Sequence, residues 1–358
     1  MMDKARICII TNSRNFKGGI TAVVSGYSNS KLEDDYDIRY IESCSDNKNT
    51  ILKIGKMLLG YLQFFKSLVL FRPQIVHVNS SFGFSFYRKL YYIYLSNLFG
   101  AKVINHIHGA EFEKFYINAN EKKKQRIQRV YNKCDYFIAL SDEWKTNLCK
   151  IVPEHKVKVI ENYSIIHRNK PKNEFGKTIL FLGEVGKRKG CLDIPDVIKN
   201  VVQVIPDCKF ILAGNPIEDD YANIIEKVRE YNISSNIEFP GWVRGKEKEN
   251  LLNSADVFFL PSYNEGMPMS ILEAMGYGLP IVSTTVGGIP KIVRNLENGY
   301  ITNPGDIEKF SKSIVDLLSN PKRMYDFGLT SIKIVKDNYS LDVHISKLKS
   351  LYEKLISK

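Results

Sequence analysis

The sequence predicts an α/β protein made of two doubly wound, Rossmann-like domains, and three observations predict it. The chain has 358 residues, enough for two domains of the usual ~100–200 residues. Short apolar runs alternate with longer amphipathic stretches throughout, the pattern of βαβ units around a parallel sheet. The alternation pauses at the polar stretch 168–177 (RNKPKNEFGK), which carries Pro171 and Gly176, and then restarts. The domains are therefore placed at 1–168 and 169–338, with a terminal segment at 339–358.

In the first domain Arg6–Ile10 (RICII) reads as the opening strand, Gly18–Gly19 as the turn after it, and Ile20–Tyr27 as a helix start. Gln74–Asn79 (QIVHVN) is a strand, Tyr87–Phe99 an apolar helix, and Ala101–His106 (AKVINH) the next strand. Glu121–Tyr131 is a basic helix. Tyr136–Leu140 (YFIAL) is a strand with a helix from Ser141, and Val157–Ile160 is a further strand. In the second domain Thr178–Leu182, Lys209–Ala213, Ile237–Phe239, Val257–Leu260 and Pro280–Ser283 read as buried strands, because parallel strands covered on both faces are nearly unbroken apolar runs. Val343–Ile356 has the period of an amphipathic helix.

Hydrophobic residues at 44% and charged residues at 25% suit a soluble globular chain and exclude disorder over most of it. Cys8, Cys44, Cys134, Cys149, Cys191 and Cys208 are scattered without a C-x-x-C pair or a Cys/His cluster, as reduced thiols would be. The N-terminus MMDKARICIITNSRNFKGG lacks the long apolar region of a secretory signal. The best candidate for a membrane span, Ile51–Phe71, is interrupted by Lys53, Lys56 and Lys66, which argues against spanning. The net charge of +12 lies entirely in the first half: residues 1–170 hold 27 Lys+Arg against 15 Asp+Glu, and residues 171–358 hold 24 of each. A positive half attracts phosphates, nucleic acid or anionic lipid, unless it is only a solvated basic face.

The block with the most chemistry runs from Asp256 to Val293, DVFFLPSYNEGMPMSILEAMGYGLPIVSTTVGGIPKIV. A strand leads into a loop at 261–268, a helix starts near Met269, and the next strand ends in Gly287–Gly288. A loop running into a helix N-terminus is an anion site, because unpaired amides and the helix dipole point outward there. Glu265 in the loop and Glu273 on the helix stand eight residues apart. Glu273 is placed to accept hydrogen bonds from vicinal hydroxyls such as a ribose, and Glu265 to reach a group bound at the helix start. A bare pair at that spacing is more often a solvated helix face.

The Glu265-x7-Glu273 spacing inside EGMPMSILEAMGYGLPIV, followed by GG, resembles the signature of the family-4 glycosyltransferases with the GT-B fold. Gly18–Gly19 after the first strand, Lys189–Gly190 in FLGEVGKRKG, Gly241–Trp242 in IEFPGWV and His108 in HIHGAEF follow in the expected order, so the resemblance covers nearly the whole chain. It implies two domains facing across a cleft, with the terminal helix crossing back to the first. It implies that Glu273 binds the ribose, that Lys189 contacts the donor pyrophosphate, and that the N–H groups of Gly19, Met267, Met269 and Ser270, with Pro268 among them but without a donor of its own, line the phosphate and sugar oxygens. Glu265 and Gly266 would meet the donor sugar near the reacting carbon, His108 would sit close to the transferred sugar, and Trp242–Val243 would approach the base. The chain departs from the family at Glu184, where Arg is frequent, so that Arg188 becomes the candidate second cation; Lys291 stands where an acid is usual. His106 reads as a neighbour that shapes the turn, and His77 and Asn79 lie at a strand end of the kind that meets ligands.

By the same resemblance the reaction retains anomeric configuration. The donor is a nucleotide-sugar, a UDP-sugar by family frequency, and the acceptor is a lipid-linked or glycan chain in surface polysaccharide (O-antigen, lipopolysaccharide or capsule) assembly. No cofactor is expected. A metal is not expected either, since Asp34–Asp35–x–Asp37 and Asp219–Asp220 lie outside the phosphate-loop context. The basic first half suits a cytoplasmic protein held peripherally at an anionic inner membrane, with Ile51–Phe71 and Lys122–Lys133 as candidate surfaces. The competing readings are a basic non-enzymatic binder, a catalytically inactive relative, and a Rossmann oxidoreductase. The last would need G-x-G-x-x-G after a strand, and neither half has it; nor is there a P-loop or a nucleic-acid recognition motif.

Overall fold

The computed structural model describes residues 4–13, 16, 18–28, 30–45, 49–109 and 112–357, apart from the Glu113 side chain. The chain divides into two compact units, residues 1–162 with 341–358, and residues 163–340. The first division thus falls after Asn162, where the sequence reading placed it after 168. The polar stretch belongs to the second unit because it is tied to a buried carboxylate. Asp256, 1% exposed, accepts from the amides of Gly176 (2.8 Å) and Thr178 (2.7 Å) and pairs with Lys172 at 2.5 Å.

The first unit runs β1 (Ala5–Thr11), α1 (Gly19–Ser25), α2 (Lys31–Asp35), β2 (Tyr36–Glu42), α3 (Thr50–Lys66), β3 (Ile75–Ser80), α4 (Phe84–Leu98), β4 (Lys102–Ile107), α5 (Phe112–Ile117), α6 (Glu121–Tyr131), β5 (Tyr136–Ala139), α7 (Asp142–Cys149) and β6 (Val157–Val159). The second runs β7 (Thr178–Leu182), α8 (Ile194–Val202), β8 (Lys209–Ala213), α9 (Glu218–Glu230), β9 (Ile237–Gly241), α10 (Lys246–Ser254), β10 (Val257–Leu260), α11 (Met269–Gly276), β11 (Ile281–Thr284), α12 (Ile289–Ile292), β12 (Gly299–Thr302), α13 (Ile307–Leu318) and α14 (Pro321–Asn338). The last helix, α15 (Leu341–Ile356), belongs to the first unit.

Each unit holds one six-stranded sheet, with orders β2-β1-β3-β4-β5-β6 and β12-β11-β10-β7-β8-β9, paired in parallel throughout. The central strands bury most of their side chains. Ile7 to Ile10 and Val257 to Leu260 are fully inaccessible, as a sheet covered by helices on both faces requires. Helix starts follow side-chain caps: Asn120 accepts from the Lys123 amide and Ser141 from that of Trp144. Helix α15 buries His344, Ile345, Leu348, Leu351, Tyr352 and Leu355 at three- and four-residue spacing. Its Tyr352 hydroxyl meets His77 Nδ1 at 2.7 Å, so it completes the first unit's core.

Two strands escape the sequence reading. β2 is an edge strand (YDIRYIE) in which only Tyr36 and Ile41 are buried, and β12 is four residues long (GYIT). The segment 51–71 reads from sequence as either a core helix or a surface. It forms α3 and a π-helical continuation, Ser67–Phe71, a 22-residue helix long and apolar enough to cross a membrane, and only Gly60, Phe64, Ser67, Leu68 and Phe71 of it are buried.

Candidate active site

The strand order of the second sheet reverses between β7 and β10, which pair in parallel. In open parallel sheets such a switch point, at the carboxyl ends of the strands, is where ligands bind. The loop after β7 carries GEVGKRKG and turns through a short 3₁₀ segment, Lys187–Lys189. The loop after β10 carries PSYNEGMP and enters α11. The two loops meet in an ion pair between Lys189 Nζ and Glu265 Oε1, with side chains only 12% and 8% exposed. Ser262 Oγ donates to the same carboxylate oxygen at 2.9 Å. Arg188 donates to the Asn264 carbonyl at 3.3 Å and lies 3.8 Å from Glu184. Glu184, standing where the resemblance led one to look for arginine, thus holds Arg188 beside the Glu265 loop.

Glycines permit this convergence. Gly190 has φ +74° and packs so closely on the Pro261 carbonyl that a Cβ would overlap it. Gly287, φ +58°, sits in the same way on the Glu265 carbonyl, and the Gly288 amide donates to Gly266 O at 2.6 Å. The segments after β7, β10 and β11 are therefore locked together by backbone contacts that no other residue fits. Gly287→Ala is expected to cost about 2 kcal/mol or more, from the left-handed backbone and the clash. The thermal midpoint should drop by several degrees, and an unaltered midpoint would refute this packing.

Helix α11 begins at Pro268 without a side-chain cap, so its first amides and the positive end of its dipole remain for a ligand. Met267 and Pro268 are buried, and Met269 and Ser270 half-buried. Along α11, Ile271, Leu272, Ala274 and Met275 are fully buried, whereas Glu273 is half-buried and pairs with Lys248 of α10 at 2.8 Å. Trp242 is 39% exposed and Val243 buried, so the Val243 side chain is part of the core. Lys291 is exposed on α12.

Gly18, Gly19 and His108 belong to the first unit. Gly18 and Gly19 are exposed at the start of α1, with open space around both and φ +150° at Gly18. His108 Nε2 bonds Asn79 Oδ1 at 2.9 Å. Its ring lies 4.0 Å from that of His106, which contacts His77 at 3.3 Å between Nδ1 and Nε2. His106 is thus a buried link in a histidine stack beneath His108 and more than a turn-shaping neighbour. Burial, reinforced by the other histidines, brings His77 and His108 down to about 3, so the stack is neutral.

Three groups in these clusters gave no sign in the sequence. Ser262 stands three residues before Glu265 in a loop where serine is unremarkable. Lys248 is one lysine in the charged run GKEKEN. Tyr352 reaches His77 across 275 residues.

A family model described as Glycosyltransferase Family 4 matches residues 20–163, and one described as Glycosyl transferases group 1 matches residues 162–333. An uncharacterized glycosyltransferase of Haemophilus influenzae is 26% identical over 225 residues, 61% of this chain and 61% of its own length, less than two thirds of that relative. The UDP-Gal:alpha-D-GlcNAc-diphosphoundecaprenol alpha-1,3-galactosyltransferase of Escherichia coli is 25% identical over 280 residues, 70% of this chain and 68% of that one. Among solved structures, sucrose-phosphate synthase from Thermosynechococcus elongatus superposes with a TM-score of 0.80 at 17% identity, covering 99% of this chain and 100% of that one, a likeness of fold.

Proposed function

Because the chain belongs to the family-4 glycosyltransferases of GT-B type, we propose that it moves a hexose or N-acetylhexosamine from a nucleotide-sugar, a UDP-sugar by first choice, to a lipid-linked or glycan acceptor, with retention at the anomeric carbon. The product would serve surface-polysaccharide assembly at the inner face of the cell membrane. One observation carries the reading: Lys189, Glu265 and the uncapped start of α11 converge at the switch point of the second sheet. The E. coli relative, named for a UDP-sugar donor and a diphospholipid acceptor, supports the choice of substrates.

Transfer breaks the bond between the anomeric carbon and the diphosphate oxygen, so negative charge grows on the leaving group and positive charge on the ring. In this reading Lys189, Arg188 and the α11 amides stabilise the first charge in place of a divalent cation. Glu265, with Ser262 fixing its carboxylate, accepts sugar hydroxyls beside the reacting carbon. Glu273, steadied by Lys248, accepts the ribose hydroxyls, and the Trp242–Val243 backbone meets the base. In the first unit, His108, Gly18 and Gly19 keep the roles the resemblance implies.

A thermal-shift panel of UDP-, GDP- and ADP-sugars, run with and without a chelator, tests the proposal. A cognate donor at ~100 times its dissociation constant adds ~2.7 kcal/mol of stability, and the chelator is expected to leave both binding and turnover unchanged. Glu273→Ala should abolish the shift with the fold intact. Full donor affinity in that variant would remove the ribose assignment, and silence across the whole panel would remove the enzyme reading.

A further inference from the structure

We propose that Asn79 is a positioning residue for His108. It holds the ring as the tautomer protonated at Nε2, so that Nδ1 meets a hydroxyl of the transferred sugar as a hydrogen-bond acceptor, given the reading that His108 lies close to that sugar.

A carbonyl locates the proton. The Ile10 carbonyl can only accept, and Asn79 Nδ2 donates to it at 3.2 Å. Exchanging the two ends of the amide would set oxygen against oxygen, so Oδ1 must face the other way. There it meets His108 Nε2 at 2.9 Å. An amide oxygen has no hydrogen to give, so Nε2 carries one. Asn79 is fully buried, which shields both bonds from bulk solvent.

The surroundings keep the second nitrogen bare. His108 is half-buried, and none of the described residues bonds its Nδ1. Burial first, then His77, His344 and Lys89, brings the ring down to about 3, so only one nitrogen holds a proton. His106, stacked on it at 4.0 Å, is no proton source. The His106 Nε2 is buried without a partner. An orphaned lone pair costs less than an orphaned N–H, so the His106 proton sits on Nδ1, 3.3 Å from His77 Nε2.

The backbone fixes where the ring stands. The His108 amide donates to the Ser80 carbonyl at 2.8 Å. Gly109 packs so closely on Ser81 Oγ and the Phe82 ring that a Cβ would overlap both. β3 and the turn after it thus hold His108 at its backbone and at Nε2, leaving Nδ1 as its open polar atom. A bare nitrogen accepts and does not donate. It suits a sugar O–H and repels a phosphate oxygen, which also carries only lone pairs.

Nitrogen–proton correlation NMR on the full chain, carrying isotope-labelled histidine, tests this, with His108 assigned through His108→Gln. At neutral pH the wild-type ring is expected to be protonated at Nε2 and bare at Nδ1. The sugar nucleotide that gives the largest thermal shift should move the Nδ1 resonance, and its nucleoside diphosphate alone should not. Asn79→Val, which has no acceptor, should move His108 at least partly to the Nδ1–H form. Its kcat should fall about tenfold, the worth of one hydrogen bond, with the donor-induced thermal shift kept. A wild-type ring protonated at Nδ1, or an Nδ1 resonance that the sugar nucleotide leaves in place, would overturn the proposal. So would a single Nε2–H tautomer, or an unchanged kcat, in Asn79→Val. Silence of the whole donor panel would remove the enzyme reading and still leave the tautomer measured, so the two failures are distinct.

Discussion

Lys189→Ala is expected to lower turnover by about 10²–10³-fold, on the order of 3–4 kcal/mol of transition-state stabilisation, and to destabilise the second unit as well. The two effects share one origin. Glu265 is 7% exposed, and without Lys189 its carboxylate keeps Ser262 but loses its cation. Removing one member of a buried pair typically costs about 3–5 kcal/mol, because the remaining charge stays desolvated. Glu265→Gln separates the contributions. It keeps the shape, abolishes the negative charge, and leaves Lys189 free for the diphosphate. Its expected signature is a large fall in kcat with donor affinity nearly kept, since the proposed function sets this carboxylate against the sugar near the reacting carbon. In the double variant the unpaired carboxylate is gone, so stability should recover part of the way while turnover stays low. A double-mutant cycle on stability and kcat reads this coupling directly. Near-normal turnover in Glu265→Gln would count against its placement at the reacting carbon. Equal destabilisation in Lys189→Ala and the double variant would show that the pair is not the reason for the loss.

The pairing explains why the site was only partly legible in the sequence. β7, β8 and β10 lie where their apolar runs place them, Thr178–Leu182, Lys209–Ala213 and Val257–Leu260, because strands covered for most of their length on both faces leave a nearly unbroken apolar pattern. β2 exposes Asp37 and Arg39 at the sheet edge, so its composition is that of a loop, and its strand character comes from pairing with β1. Lys189 and Glu265 are 76 residues apart. Nothing local says they touch. Resemblance nominated them separately, and only the close approach through Gly190 and Gly287 brings their loops together. Burial of helix α3 was likewise undecidable from its period, because a membrane-facing stripe and a core-facing stripe have the same spacing.

Acid is expected to destabilise the first unit steeply below about pH 6.5, the ordinary histidine range. His77, His106 and His344 are at most 2% exposed. His344 receives the Tyr27 hydroxyl at Nε2 (2.9 Å) and meets the Glu161 carbonyl at Nδ1 (2.7 Å). Burial, more than any neighbour, brings His77 down to about 3 and His344 to about 4, and holds His106 well below the usual value. The sign follows from proton counting. Above about pH 6.5 folded and unfolded chains are both neutral at these positions, and the histidines cost nothing. Below it the unfolded chain takes up protons that the folded chain refuses, so stability falls with pH until the folded values are reached, near 4 for His344 and 3 for His77. Each histidine contributes up to about 1.4 kcal/mol per pH unit. With His108, also brought down to about 3, four such rings approach about 5–6 kcal/mol per unit, against a total stability usually of about 5–15 kcal/mol. Urea titrations at a series of pH values should therefore show the midpoint sliding downward within the first two units of acidification. His77→Gln, which retains a side-chain group able to meet Tyr352 but cannot titrate, should flatten the slope by roughly a quarter. A midpoint that stays level between about pH 7 and 5 would mean that water reaches the stack, and that these rings are not held neutral by burial.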